Sequence, residues 1–216
     1  SAWNVSSVID MLGMFYSSNF NKNISNWDVS SVTDMSSMFQ SSLFNQNISE
    51  WDVSTVTDMS LMFSSSSFNQ SIANWNVSNV SDMNRMFMSS DFNQDISAWN
   101  VSSVENMSFM FTQASDFNQN LSSWDVSGVT DMEQMFYYSD FNQDIGSWDV
   151  SSATSMRGMF RGTPFDQNLR DWNVSGVTDF TSMFQSSELS TLNYDSLLTG
   201  WASLGSLNYN LSFHGG

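Results

Sequence analysis

The sequence predicts an α/β solenoid, a leucine-rich-repeat-like right-handed array with a parallel β-sheet on one face and short helices or helical turns on the other. Two observations predict it. Tryptophan recurs eight times at a spacing of 24 or 25 residues, and a strand-like apolar pattern is followed by a helix-like one in each interval. The tryptophans are Trp3, Trp27, Trp51, Trp75, Trp99, Trp124, Trp148 and Trp172. Because one such unit cannot bury its apolar side chains alone, we expect the units to stack around a continuous core.

The segment around each tryptophan is expected to form the strand. Ile48, Trp51 and Val53 follow the pattern apolar-x-x-apolar-x-apolar, and Trp51 and Val53, two residues apart, share one face of a strand. Asp52 lies between them and is expected to point to the opposite face. Eight strands about 4.8 Å apart would make a parallel sheet roughly 40 Å long.

The second half of each unit is expected to be helical. Met59, Met62 and Phe63 stand at i, i+3 and i+4, which places them on one face of a helix. Thr57 is placed to act as the N-cap, and Asp58 would follow in the first turn, where a carboxylate favours the positive end of the helix dipole. The paired methionines are therefore interpreted as core residues.

The chain divides into a repeat solenoid of eight units of about 24 residues over residues 1–188 and a C-terminal capping unit over 189–216. In the capping unit, Asn193 is placed to cap a helix that contains Leu197 and Trp201. The alternation of apolar residues from Leu207 to Phe213 predicts a final strand.

The first unit shows no comparable cap. Trp3 and Val5 are therefore predicted to leave an apolar end that is open to assembly. The chain starts inside a repeat, at Ser1, which indicates a mature or excised fragment.

Composition narrows the classes of function. The net charge is −17, with 22 acidic against five basic residues. A strongly acidic chain is repelled by nucleic acid and by anionic membrane, and no apolar run is long enough for direct membrane insertion. The chain has no cysteine, and its one histidine, His214, has no partner that spacing would identify. We expect an extracellular or cell-surface protein that is not an enzyme and has no cofactor or metal.

The leading candidate for a ligand-binding site is the ladder of polar residues that directly follow the tryptophans on the predicted outer face of the sheet. A serine follows two residues later in each unit. The ladder could bind a ligand through carboxylates and amides, or its residues could be solvated side chains that form turns. The ladder residues are Asp28, Asp52, Asn76, Asn100, Asp125, Asp149 and Asn173, with Asn4 at the same position in the first unit.

Three other sets of residues recur or cluster in the sequence. The acids at the helix start, such as Asp58 and Asp82, could hold calcium between units, but dipole pairing explains them more simply. The row that contains Asn45 and Asn69 is interpreted as satisfying loop backbone groups. Arg157, Arg161 and Arg170, with Pro164 nearby, make a local basic spot that could bind an acidic partner or could be a chance cluster. Unit five carries one extra residue, between Phe111 and Phe117, which is interpreted as a loop insertion.

The unit Phe44-Asn-Gln-Asn-Ile-Ser-Glu-Trp51-Asp-Val-Ser-Thr-Val-Thr-Asp-Met59-Ser-Leu-Met62-Phe63 resembles the repeat of the BspA-like leucine-rich-repeat surface proteins. The resemblance covers residues 1–184, and the segment from Leu192 to Trp201 is similar to one that often follows such repeats. It implies a secreted or cell-surface protein with a part in adhesion or host interaction.

Three functions follow from these features. The first is an adhesion or binding module whose partner is a protein or glycan at a cell surface. The second is a structural protein that associates with itself, as a filament or surface layer, through the open end. The third is ice binding by a regular polar ladder, although charged, hydrated carboxylates match ice poorly.

Overall fold

The computed structural model describes residues 3–204 and places the successive units side by side. We number the units 1 to 8 by their tryptophans, from Trp3 to Trp172. A parallel bridge joins each unit to the next at one position, as between Asp34 and Asp58 and between Asp58 and Asp82. Within the described residues the one helix is α1, Thr191–Ala202. The units are therefore parallel and in register.

The principal connection between units is a run of turns that we call the turn segment, residues 34–42 in unit 2 and the equivalent residues elsewhere. Alternate N–H groups of this segment donate to carbonyl groups of the next unit. Met35 donates to the carbonyl of Asp58 at 3.0 Å, and Ser37 donates to that of Ser60 at 2.8 Å. The N–H of Met38 instead donates to the carbonyl of Met35 in its own unit, at 3.2 Å. The backbone groups are thus satisfied half within the unit and half between units.

The turn segment carries two left-handed residues in every unit. Thirteen of the sixteen are not glycine, and their φ angles lie between 51° and 60°. An α-helix would need every N–H to bond to the carbonyl four residues earlier. The predicted helix at Met59 and Met62 is therefore absent, because Leu61 is left-handed and alternate N–H groups bond to the next unit. Thr57, the predicted N-cap, donates its N–H to the carbonyl of Thr33 at 2.9 Å.

The core lies inside the stack and is built from the same or similar apolar residues at equivalent positions of the units. Trp51 and Val53 are buried and Asp52 is exposed, as the alternation predicts. The phenylalanine of the turn segment stacks on its equivalents at centroid separations of 5.5 to 5.8 Å, from Phe15 to Phe184. The methionine pairs are buried, with Met14 at the start of the stack 38% exposed.

Tryptophan also links the units by hydrogen bonds. Trp51 Nε1 donates to the carbonyl of Ile24 in the preceding unit at 3.2 Å, and the five tryptophans from Trp75 to Trp172 repeat this bond at 2.9 to 3.1 Å. A buried carbonyl that lost this donor would go unpaired, which costs about 1–3 kcal/mol. The ladder of tryptophans is therefore both a packing and a hydrogen-bonding element.

The helix α1 continues the stack at its C-terminal end. Trp201 is buried, and its Nε1 donates to the carbonyl of Leu169 at 3.1 Å, as the earlier tryptophans do to their own preceding units. The N-cap is Ser190, not Asn193 as the sequence suggested; the N–H of Asn193 donates to Ser190 Oγ. Gly200 approaches the backbone of Arg170 too closely for any side chain. The predicted strand at 207–213 lies outside the described residues.

Apolar side chains are exposed at the other end of the stack. Trp3 is 59% exposed, and Ile9, Leu12 and Tyr16 are 62%, 62% and 57% exposed. Val5, which was expected to share this open end with Trp3, is buried at 5% exposure. Of the two predicted assembly residues, only Trp3 is available on the surface.

The predicted sheet differs in position from the pairing that the structure contains. No backbone hydrogen bond joins neighbouring units around Trp51 and Val53 within residues 3–204; the parallel bridges lie at Asp58 and its equivalents. In the tryptophan segment the units are joined by side chains, because Nε1 of each tryptophan from Trp51 to Trp172 donates to a carbonyl of the preceding unit. The leucine-rich-repeat-like class and its handedness stay predictions.

The left-handed residues give a direct test of the turn segment. We expect Ser65→Gly to raise the free energy of unfolding by about 0.5–1 kcal/mol, because Ser65 has a φ of 55° and glycine adopts it without a Cβ penalty. Ser71, which is exposed and outside the left-handed set, is the matched control, and Ser71→Gly should lower the stability. Urea unfolding measures both, and equal effects would contradict the conformational assignment.

Candidate functional site

The ladder residues that follow each tryptophan are exposed and share one local structure. Asp52 Oδ1 accepts the N–H of Ser54 at 3.1 Å and its hydroxyl at 2.6 Å, and Asn100 accepts the same two groups from Ser102 at 3.2 and 2.8 Å. The backbone bond recurs in all eight units, from Asn4 to Asn173. Each ladder residue therefore closes an Asx turn.

This turn explains why both aspartate and asparagine occur along the ladder. The turn uses only Oδ1, which both side chains possess. The carboxylate Oδ2 or the amide Nδ2 remains for solvent or a ligand. The hydrogen bonds from serine hold the pKa values of Asp28, Asp52, Asp125 and Asp149 below the usual range. The ladder is thus a row of negative and amide groups at constant spacing, held in turns and not on a sheet face.

A second acidic row runs through the parallel bridges. Asp82 Oδ1 accepts the N–H of Asn84 at 2.7 Å, and Asn106 Nδ2 lies 3.5 Å from Asp82 Oδ2. Burial, with a smaller contribution from the charge of Asp58, raises the pKa of Asp82. These acids cap turns and not helices, so the predicted dipole pairing is replaced by local hydrogen bonds.

The asparagine row has the structural role that the sequence predicted. Asn45 Oδ1 accepts the N–H of Asn69 at 3.0 Å and Nε2 of Gln70 at 2.9 Å, and the pattern repeats along the stack. At the end of the row Asp166 accepts the N–H and hydroxyl of Ser190, which attaches the loop before α1. The row is therefore part of the scaffold.

The turn segments also expose a face that sequence reasoning described only in part. Arg157 and Arg161 lie on it, and they are joined there by Arg85, Phe109, Tyr137 and Tyr138. Arg170 of the predicted basic spot belongs to the loop before Trp172, where its carbonyl lies against α1. This face could have been found in the sequence, because aromatic and basic residues occupy positions there that hold serine in other units.

No group of three or more histidine, cysteine, aspartate or glutamate side chains within residues 3–204 is arranged to hold a metal ion. The only helix in that range, α1, is too short and too polar to cross a membrane. The described residues thus present rows of equivalent hydrogen-bonding groups, in which no unit is distinguished from the others.

The stacked units define a repeat protein. The chain belongs to the family described as Mycoplasma protein of unknown function, DUF285, whose model matches in four overlapping stretches, at residues 1–91, 44–140, 65–162 and 121–203. No curated protein and no solved structure matches the chain.

The charges of Asp82 and of the ladder residue Asp52 should respond to pH with opposite signs. The raised pKa of Asp82 means that its charge destabilises the folded state above the pKa of an unfolded aspartate, about 4. We expect Asp82→Asn to raise the free energy of unfolding by about 0.5 kcal/mol at neutral pH and to have no such effect near pH 3.

Asp52→Asn is the control, since the lowered pKa of Asp52 means that its charge contributes stability above the unfolded pKa and loses it as pH falls. This variant should give no gain at neutral pH. Urea unfolding at the two pH values measures both variants, and a gain from Asp52→Asn equal to that from Asp82→Asn would contradict the assignment.

Proposed function

We propose that this protein is a binding module, secreted or displayed at a cell surface, that adheres to a protein or glycan partner through an extended outer surface. The observation that carries the proposal is the in-register repetition of exposed polar groups on a scaffold that satisfies its own backbone. Equivalent groups along a stack suit many weak contacts with one large partner. An enzyme would need one differentiated centre, which repetition does not favour.

We further propose that the stack is a leucine-rich-repeat-like solenoid of the BspA-like kind. The support is the step of 24 residues between parallel bridges, with a single step of 25 from Asn106 to Asp131, and the continuous stack of turn-segment phenylalanine rings. The family match adds support for a repeat protein and names no ligand. The charge of −17 favours a partner that is neutral or basic where it meets the ladder.

The ladder hypothesis can be tested without disturbing the fold. The wild-type protein is screened against immobilised glycans and extracellular-matrix proteins, and the dissociation constant of each partner is measured by biolayer interferometry. A variant with Asp28, Asp52, Asp125 and Asp149 all changed to Asn keeps the Asx turns, because Asn76 and Asn100 already make them. We expect its Kd to be weaker by about tenfold or more, or about 1.4 kcal/mol.

The matched control changes four exposed aspartates away from the ladder, Asp91, Asp116, Asp140 and Asp171, to Asn. It alters the net charge by the same amount and should leave Kd within about twofold. A wild-type protein that binds no partner would contradict the binding function, and equal losses in both variants would remove the ladder from it.

Self-association is the second candidate, and the exposed side chains of Ile9, Leu12, Tyr16 and Trp3 at one end of the stack favour it. A contiguous apolar surface at the end of a repeat stack promotes association. Because α1 covers the other end, contact between two copies would involve the exposed end of each.

Sedimentation velocity over a wide concentration range tests this candidate. Leu12→Ser with Tyr16→Gln introduces the residues that unit 2 carries at the same positions, Ser36 and Gln40. We expect the wild-type protein to form dimers that this variant lacks. A wild-type protein that stays monomeric at the highest concentration would contradict self-association.

A further inference from the structure

The surface of the turn segment is one of the places where the eight units differ from one another. The tryptophan, the valine two residues later, and the second methionine and the phenylalanine of the turn segment are identical in all eight units. The first left-handed position instead carries six residue types: Gly13, Ser37, Leu61, Arg85, Phe109, Gln134, Gly158 and Ser182. Repeated positions maintain the stack, so variable positions such as this one distinguish one part of the surface from another.

The variation concentrates in units 4 to 7, on a surface that we call the turn-face patch. Backbone hydrogen bonds link its members in sequence: Arg85 N–H donates to unit 5, Phe109 N–H to unit 6, and Gln134 and Tyr138 N–H to unit 7. With neighbouring units about 4.8 Å apart, the patch extends roughly 15 Å along the stack. Its residues are Arg85, Phe109, Gln134, Tyr137, Tyr138 and Arg161.

Two guanidinium groups in the patch are held by neutral neighbours. Arg85 Cζ lies 4.4 Å from the centroid of the Phe109 ring, and its Nη1 donates to Asn84 Oδ1 at 2.8 Å. Arg161 Cζ lies 5.6 Å from the Tyr137 ring, and Arg161 Nε is buried with no hydrogen-bond partner among the described residues. Both cations are thus positioned by rings and leave their charge available to an anion.

Acidic residues border the patch. Glu133 Oε1 accepts Nε2 of Gln134 at 3.4 Å. The charge of Arg157, on the same face, helps to lower the pKa of Asp179, after the larger effect of hydrogen bonds from Thr181. The positive charge that the patch offers a partner comes from Arg85 and Arg161, two of the five basic residues of the chain.

Two glycines in unit 7 accommodate the aromatic side chains of unit 6. A Cβ on Gly162, which has a φ of 70°, would lie 2.6 Å from two carbons of the Tyr138 ring. A Cβ on Gly158 would lie 3.1 Å from Gln134 Cγ and 3.7 Å from Tyr137 Cδ2. Tyr137 and Tyr138 meet edge to face at 4.6 Å, and Tyr138 remains 47% exposed. The patch is therefore a packed arrangement in which Tyr138 projects to solvent.

We propose that the turn-face patch is the docking surface for a protein partner that presents carboxylates beside an apolar side chain. The proposal rests on the binding function proposed above and assigns it to a different face from the ladder. Tyrosine, phenylalanine and arginine are the residues enriched at the centres of protein interfaces, while aspartate and serine, which surround this patch, are depleted there. The two guanidinium groups supply the complement to carboxylates.

The geometry favours a protein over a glycan. A sugar ring stacks on the open face of an aromatic ring, but guanidinium groups cover faces of Phe109 and Tyr137. Tyr138 alone offers an exposed ring, and Gly162 lies against it. An apolar side chain of a protein partner can pack against this one projecting ring, while charge pairs form around it.

The test measures binding of a random copolymer of glutamate and tyrosine by biolayer interferometry, with polyglutamate and hyaluronan as the comparison ligands. The patch variant is Arg85→Ser, Tyr138→Ser and Arg161→Gln, which introduces the residues of unit 2 at these positions, Ser37, Ser41 and Gln40. The fold already contains these residues in the same backbone conformation, so the variant is expected to fold. We expect the copolymer to bind wild type best and the variant to bind it about 30-fold more weakly, as when one interface hot spot is truncated.

The matched control is Lys22→Gln with Arg170→Gln, which removes the same number of cations as the patch variant at positions outside the patch. Its Kd should stay within about twofold of wild type. A second variant, Gly162→Ser, keeps every charge and should weaken binding by displacing the Tyr138 ring; Ser186 shows that serine occurs at this position. Added salt should weaken binding to wild type more than to the patch variant.

The outcomes separate this proposal from the binding function itself. Equal losses in the patch and control variants, or binding of hyaluronan in preference to the copolymer, would overturn it. A wild-type dimer that the patch variant abolishes would show that the occupant is a second copy. A partner that depends on the ladder and ignores the patch variant would overturn the patch and leave the proposed function standing. No partner and no copolymer binding would overturn both.

Discussion

The structure depends on the hydrogen bonds that alternate N–H groups of each turn segment donate to the next unit. This alternation requires two left-handed residues per unit, and it makes every unit both a donor and an acceptor along most of the stack. Thirteen non-glycine residues accept a conformation that costs about 1 kcal/mol each, because the inter-unit bonds and the buried phenylalanine and methionine offset that cost. In an isolated unit nothing would offset the cost of the left-handed conformation.

The same constraint separates the two faces that could bind a ligand. The ladder is uniform, because each Asx turn needs an Oδ1 at the same place in each unit. The turn face is free to vary, because a left-handed residue fixes the backbone and leaves its side chain outside the core. Arg85, Phe109 and Tyr138 occupy such positions, so aromatic and basic groups accumulate on the turn face without altering the ladder.

The two ends of the stack differ in how their apolar side chains are covered. At one end α1 takes the place of a further unit. Its Trp201 donates an indole N–H to the preceding unit, as the tryptophans of the repeat units do, although Trp201 lies in a helix. At the other end Trp3, Leu12 and Tyr16 are exposed. A repeat stack is thus cooperative in its middle and differentiated only at its ends and on its variable surface.

The sequence by itself determined the unit length, the number of units, the inward positions of Trp51 and Val53 and the scaffold role of the asparagine row, because all of these follow from periodicity and side-chain chemistry. It did not determine the backbone of the turn segment. The spacing of Met59, Met62 and Phe63 fits one face of a helix and equally fits a run of turns. The neighbouring unit accepts alternate N–H groups, and these bonds select the run of turns over the helix. The backbone of the turns then determines which side chains meet on the turn face.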